Sequence, residues 1–243
     1  MRSFLTLLRR ELSSVFLSPV AYVSMALFTS AGVWTFLATI NAQTGRSVYP
    51  EQLLFVSVLI WMPFLITVIC MRLFAEEKRA GTIETLMTTA VGETSVVLAK
   101  YVGALIFEWI TIAPSISALY IVAAASPGIQ SVDGYAVIGG VTILALVSIC
   151  CTAVGVLVSL LTRNQIVAAI CCFWAIFTPF MVQPFMRAVP LFRHETIERF
   201  SLERHVTLFV SGTLSLQPAV WYLSITALML FTAVRVLESR RWL

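Results

Sequence analysis

The chain predicts an all-α integral membrane protein. It reads as six transmembrane helices with an N-terminal amphipathic interfacial helix, a short cytoplasmic helix between spans two and three, and amphipathic extracytoplasmic helices between spans five and six. Three observations carry this. Of 243 residues, 59% are hydrophobic and only 12% charged, against the roughly 25% charge of a soluble domain, so there is too little polar surface to cover a globule. Mean hydropathy is +0.94. The apolar residues gather into runs close to the ~20 residues that a helix needs to cross the hydrocarbon core. No stretch between the runs could hold a soluble domain, so residues 1–243 read as one membrane domain.

The opening MRSFLTLLRRELSSVFLS, residues 1–18, is basic and amphipathic. Phe4, Leu5, Leu8, Leu12, Val15 and Phe16 fall near helical spacing, with Arg2, Arg9, Arg10 and Glu11 off that face. Such a helix lies in the headgroup plane. No short apolar region with a small-residue cleavage site follows, so it does not read as a cleaved signal. The six spans are expected at about 19–40, 53–74, 101–125, 135–161, 165–183 and 219–237. Span four is the strongest, and its Gly139, Gly140 and Gly155 allow close helix contact. Pro63, Pro114 and Pro179 fall within spans and read as kinks rather than breaks. Residues 184–218 mix charge with Phe192, Ile197, Phe200, Leu202, Leu208 and Phe209, a pattern for one or two amphipathic helices at the outer interface or dipping into it.

Basic residues near span ends set the orientation. With the N-terminus in the cytoplasm, eleven Lys and Arg lie inside against five outside. The expected topology is therefore N-in and C-in. The excess of 16 Lys+Arg over 12 Asp+Glu gives +4, which suits anionic lipid headgroups. Clustered basic residues interleaved with aromatics, the pattern for nucleic acid, do not occur. Cys70, Cys150, Cys151, Cys171 and Cys172 all lie in apolar runs and read as small hydrophobes. No His/Cys ligand spacing accompanies them, so no metal and no cofactor is expected. His194 and His205 read as faces of interfacial helices. No nucleophile–base–orienter set is present, so the chain does not read as an enzyme.

The longest polar interruption in the first two-thirds of the chain is Ala75–Lys100, AEEKRAGTIETLMTTAVGETSVVLAK. Gly81-Thr82 is a helix-start signal in which either residue can be the N-cap, and Glu84 falls in the first turn, where the helix dipole favours a carboxylate. Ile83, Leu86, Met87 and Ala90 recur at i, i+3, i+4 and i+7. So short a helix is marginal alone in water and needs something to pack on. It is either a juxtamembrane linker held at the headgroups or a helix that inserts into a groove of a soluble partner. A second start signal, Gly92-Glu93-Thr94-Ser95, leads into span three, with Lys100 expected to snorkel to the inner headgroups.

The run RLFAEEKRAGTIETLMTTAV…LAKY resembles the signature segment of type-2 ABC exporter permeases, in which an acidic-basic cluster and G-T-x-E precede a leucine-rich helix. The ending FTAVRVLESRRWL, the turn LVSLLTRNQIVAA and the opening LLRRELSSVFLSPVAYV are similar to the gliding-motility-associated subfamily of those permeases. Two positions depart from the pattern: Ala90 where such permeases commonly have Pro, and Gly92 where they have Ser or Thr.

The resemblance implies a transmembrane permease subunit of an ATP-binding-cassette export complex in a bacterial cytoplasmic membrane. The loop would be a coupling helix docking a cytoplasmic ATPase through Glu76, Glu77, Arg79, Gly81, Thr82, Ile83, Glu84, Leu86 and Met87. A second permease copy or a paralogue would complete a dimer, with an extracytoplasmic accessory subunit as a further partner. No G-x-x-x-x-G-K-[ST] run is present, so ATP would be bound by the partner. The competing reading is a non-transporting anchor through which an ATPase drives mechanical or assembly work on an envelope partner. Glu108 is the one carboxylate well inside an expected span, and reads either as a helix-packing glutamate or as a cavity or dimer-interface residue.

Overall fold

The computed structural model describes residues 2–43, 49–79, 81, 92–125, 132–188, 202–213 and 215–239. Among them the regular structure is helical, without strands: α1 Arg2–Phe16, α2 Pro19–Ala42, α3 Pro50–Leu73, α4 Ala75–Arg79, α5 Glu93–Ala125, α6 Gly134–Leu161, α7 Gln165–Ala188, α8 Leu202–Val210 and α9 Leu216–Ser239. Five segments are long and apolar enough to cross a membrane: α2, α3 with α4, α5, α6 and α9. The fifth expected span, 165–183, falls in α7, whose stretch Gln165–Met181 is apolar but shorter. The helices run on through Pro63 and Pro114, so these prolines do not end them.

Helix starts follow local chemistry. Pro19 and Pro50 open α2 and α3 in the first turn, where the missing N–H costs nothing. Gly92 accepts from the Ser95 and Val96 N–H groups and so caps α5, at the second start signal in the sequence. Asp133 caps α6 by accepting from the Tyr135 N–H at 2.9 Å. Asn164 Oδ1 accepts from the Ile166 N–H at 3.0 Å and turns the chain from α6 into α7.

α3 and α6 form the centre. α3 packs on α2, α5, α6 and α7, and α9 lies along α6. Leu54, Phe55, Val58, Met62, Ile143, Leu144, Val147 and Val156 are fully enclosed between them. Small residues set the spacing. A Cβ on Gly140 would sit 2.0 Å from the Phe55 ring, and one on Gly155 would sit 2.5 Å from Cys70 Sγ. Phe64 of α3 meets Phe173 of α7 at 5.0 Å between centroids, and Phe173 stacks on Phe177 at 4.8 Å. The outer surface stays apolar: Leu27, Trp34, Ile170, Trp174, Leu228 and Phe231 are each more than half exposed, as lipid-facing residues are. α2 is sparsely buried, with only Ala21, Phe28, Gly32 and Phe36 enclosed, a single line along one side.

Two expectations about amphipathic helices are sharpened. α1 packs chiefly on α5, with Glu11 Cβ and Leu8 Cδ1 within 3.5 and 3.7 Å of where a Gly103 side chain would start. α8 dips into the bundle instead of lying on it. Its His205, Val206, Phe209 and Val210 are buried against α6 and α3, and its backbone reaches Gly139. Thr207 accepts from Gln52 Nε2 at 3.1 Å, and the His205 ring meets the Tyr222 hydroxyl of α9 at 3.0 Å.

Candidate functional site

Among the described residues, polar side chains concentrate where α3 ends. Phe74 leaves helical backbone (φ −121°, ψ −32°), and α4 restarts with Glu76 and Glu77 in its first turn and Lys78 and Arg79 in its last. That order matches the helix dipole at both ends. Five residues do not hold a helix in water, so α4 is fixed by its neighbours. Ser159 Oγ of α6 accepts from the Phe74 and Ala75 N–H groups at 3.1 and 3.4 Å. Lys78 Nζ donates to the Leu160 carbonyl, and to that of Thr162 at 3.2 Å, placing a cation on the carbonyl end of α6.

Ser159 is 1% exposed, so Ser159→Ala strands two buried N–H groups. We expect a loss of about 1–3 kcal/mol in unfolding free energy. Ser239→Ala, which removes an exposed bond, is expected to stay within about 0.5 kcal/mol. Thermal unfolding of both purified variants checks this.

Lys100 corrects the snorkelling expectation. It is 3% exposed and turned into the protein, because three partners satisfy it there better than headgroups would. Its Nζ lies 3.1 Å from both carboxylate oxygens of Glu11, on α1, and 2.9 Å from Glu77 Oε1. The ammonium also sits 5.3 Å from the centre of the Phe74 ring, within cation–π range. Beside this triad, Arg72 Nε donates to Glu76 Oε2 at 3.1 Å and Nη1 to Ser18 Oγ at 2.7 Å, joining α3 to the start of α2.

The acidic-basic cluster therefore divides by role. Glu77 and Lys78 are drawn into the bundle, while Glu76 and Arg79 stay exposed. Gly81 has a φ of +70°, the left-handed conformation that ends a helix, and its N–H reaches back to the Lys78 carbonyl, so it closes α4. Thr82, Ile83, Glu84, Leu86 and Met87 lie outside the described residues.

Glu108 is apart from this cluster, midway along α5 and fully buried. Thr152 Oγ1 of α6 donates to its Oε2 at 2.9 Å. Ser148, one turn earlier on α6, faces the same carboxyl without completing a hydrogen bond of normal geometry, and among the described residues Oε1 has no hydrogen-bond partner.

Sequence reasoning missed three structural residues here: Ser159, Lys78 as a cap for α6, and Glu51. Glu51 is 3% exposed and accepts from the Asp133 N–H at 2.6 Å, tying the opposite end of α3 to the start of α6. Pro50 beside an acid was a usable signal for Glu51, because Pro and carboxylates both favour a first helical turn. Nothing local pointed to Ser159. Among the described residues no group of three or more His, Cys, Asp or Glu is arranged to hold a metal ion. A family model described as "ABC-2 family transporter protein" matches residues 10–237. No curated protein matches the chain.

Proposed function

This chain belongs to the ABC-2 transporter family, and on that premise we propose that it is the transmembrane permease subunit of an ATP-binding-cassette export complex, coupled to a separate cytoplasmic ATPase. The observation that supports the coupling is the fixed base of α4. Ser159, Lys78 and the Lys100 triad secure it to α1, α5 and α6, while Glu76 and Arg79 stay exposed and Gly81 ends α4 in a left-handed turn. A partner that presses on such a base acts on several spans together. Glu76, Arg79, Thr82, Ile83, Glu84, Leu86 and Met87 are the residues we assign to the ATPase cleft, with Glu77 and Gly81 shaping the base.

The same reading counts α7 as a span, for six in all, pairs two permeases of the gliding-motility-associated subfamily, and puts both termini in the cytoplasm of a bacterium, with ATP bound wholly by the partner. Glu108 then belongs to the inner wall of the permease, within reach of a cavity or dimer interface. The test has two stages. Purification in mild detergent is expected to bring an ATPase down in equal number with this chain; its absence sinks the reading. In the reconstituted complex, Glu76→Lys and Glu84→Lys are each expected to lower permease-stimulated ATP hydrolysis about tenfold, the effect of about 1.4 kcal/mol of lost docking energy. Unchanged stimulation would show that these carboxylates do not dock the motor.

A further inference from the structure

The ends of α1, α2, α3 and α4 enclose a cleft of about 260 Å³. Besides the Lys100–Glu11–Glu77 triad it presents Arg10, Arg72, Glu76 and the hydroxyls of Ser14 and Ser18. A second cavity, of about 780 Å³, runs between α2 and α3 past Leu27, Ala31, Trp34, Trp61 and Phe64. Val20, Ser24 and Val68 line both cavities, so one groove is charged at its head and apolar along its length. From Val20 to Trp34 it extends about 21 Å at 1.5 Å per residue. One leaflet of hydrocarbon is about 15 Å thick, so the groove is long enough for a whole acyl chain.

The charges at the head narrow the occupant. Lys100 is occupied by two carboxylates. Arg10 has no ion-pair partner among the described residues, and Arg72 is tied only to exposed Glu76 and to Ser18. The cleft therefore offers two guanidinium groups, which match phosphate geometry, beside a carboxylate that is not desolvated. The cations and carboxylates lining it balance at three each, which suits a headgroup carrying both signs.

We propose that this groove holds one aminophospholipid of the bilayer. The phosphate lies between Arg10 and Arg72, the headgroup ammonium faces Glu76, and one acyl chain runs along α2 and α3 to Trp34 and Trp61. The lipid fills the space that leaves α2 so sparsely buried.

Native mass spectrometry of the full-length chain in mild detergent, supplied with equal phosphatidylethanolamine and phosphatidylglycerol, tests this. One phosphatidylethanolamine per chain is expected to survive delipidation, in preference to phosphatidylglycerol. Arg10→Gln is expected to weaken retention about tenfold, the effect of one lost charge-assisted bond, and Ala31→Trp, which fills the groove, is expected to do the same. Both variants are expected to elute like the parent protein in size exclusion. Equal retention of phosphatidylglycerol, no retained lipid in the parent, or unchanged retention in either variant overturns the proposal. So does an intermolecular disulfide through Ser30→Cys in delipidated protein, which would put a second copy in the groove. Glu76 is shared with the ATPase-docking residues, but Arg10 and Ala31 lie outside them and the readout is lipid retention by the chain without its ATPase, so the outcome is independent of whether that docking holds.

Discussion

Lys100→Met is expected to lower the unfolding free energy by about 3–5 kcal/mol, the range for breaking a buried ion pair by removing one partner. Lys100 is 3% exposed, and Glu11 and Glu77 are only 14% and 18% exposed, so water cannot take over the role of the ammonium. Without it two carboxylates face each other across a largely buried site. For a chain of this size the loss corresponds to a fall of about 10 °C in Tm. The triple variant Glu11→Gln, Glu77→Gln, Lys100→Met is expected to regain most of it, because replacing a whole buried ionic set is often close to neutral. High salt is expected to change little, since screening reaches exposed charges far more than enclosed ones. Thermal unfolding of the single and triple variants in detergent decides the matter. A single-variant loss below about 1 kcal/mol would mean that the triad is as weakly coupled as a surface pair.

Gly139→Ala is the second large effect. A Cβ there would lie 2.0 Å from the Phe209 carbonyl oxygen and 2.8 Å from its carbon. Backbone cannot swing aside as the Phe55 ring opposite Gly140 can, so the whole of α8 must move. That movement pulls Val206 and Phe209 from the core and strains the Gln52–Thr207 and His205–Tyr222 contacts. We expect a loss of about 3 kcal/mol, the upper end for overpacking. In a cysteine-free background, Val206→Cys is expected to react faster with maleimide when Gly139 is also replaced, because Val206 is otherwise fully buried. Gly134→Ala, which meets nothing within 4 Å, is the control and is expected to leave both readings unchanged.

The helices themselves were legible because apolar runs and start signals are local. The start signal at Gly92-Glu93 and the span starts expected at 135 and 165 mark beginnings that the structure places at Glu93, Gly134 and Gln165. Even Gly139 and Gly140 were readable as sites of close approach. What met them was not, since periodicity tells which residues share a face but not which element covers it. The same limit applies to the docking segment. AEEKR reads as one polar cluster, but the break at Phe74 resets the helical phase, so Glu77 turns in to a lysine whose other partner lies 89 residues away in sequence. Lys100 was misplaced for that reason: long basic side chains near span ends usually reach for headgroups, and only the fold brings Glu11 and Glu77 to meet this one.

The bonds around α4 also have a mechanical meaning. Ser159 and Lys78 bolt it to α6, Glu77 and Lys100 to α5, and Glu11 extends the same patch to α1. The ends of α1, α3, α5 and α6 thus behave as a single stiff plate. A load on any part of that plate tilts all of it, because no one helix can slide without breaking an enclosed hydrogen bond or ion pair. α2 is joined to the plate's polar end by the lighter Arg72–Ser18 link and to the bundle by one line of contacts. When the plate tilts, α2 is the strut free to lag behind, so relative motion in this fold opens first along its edge.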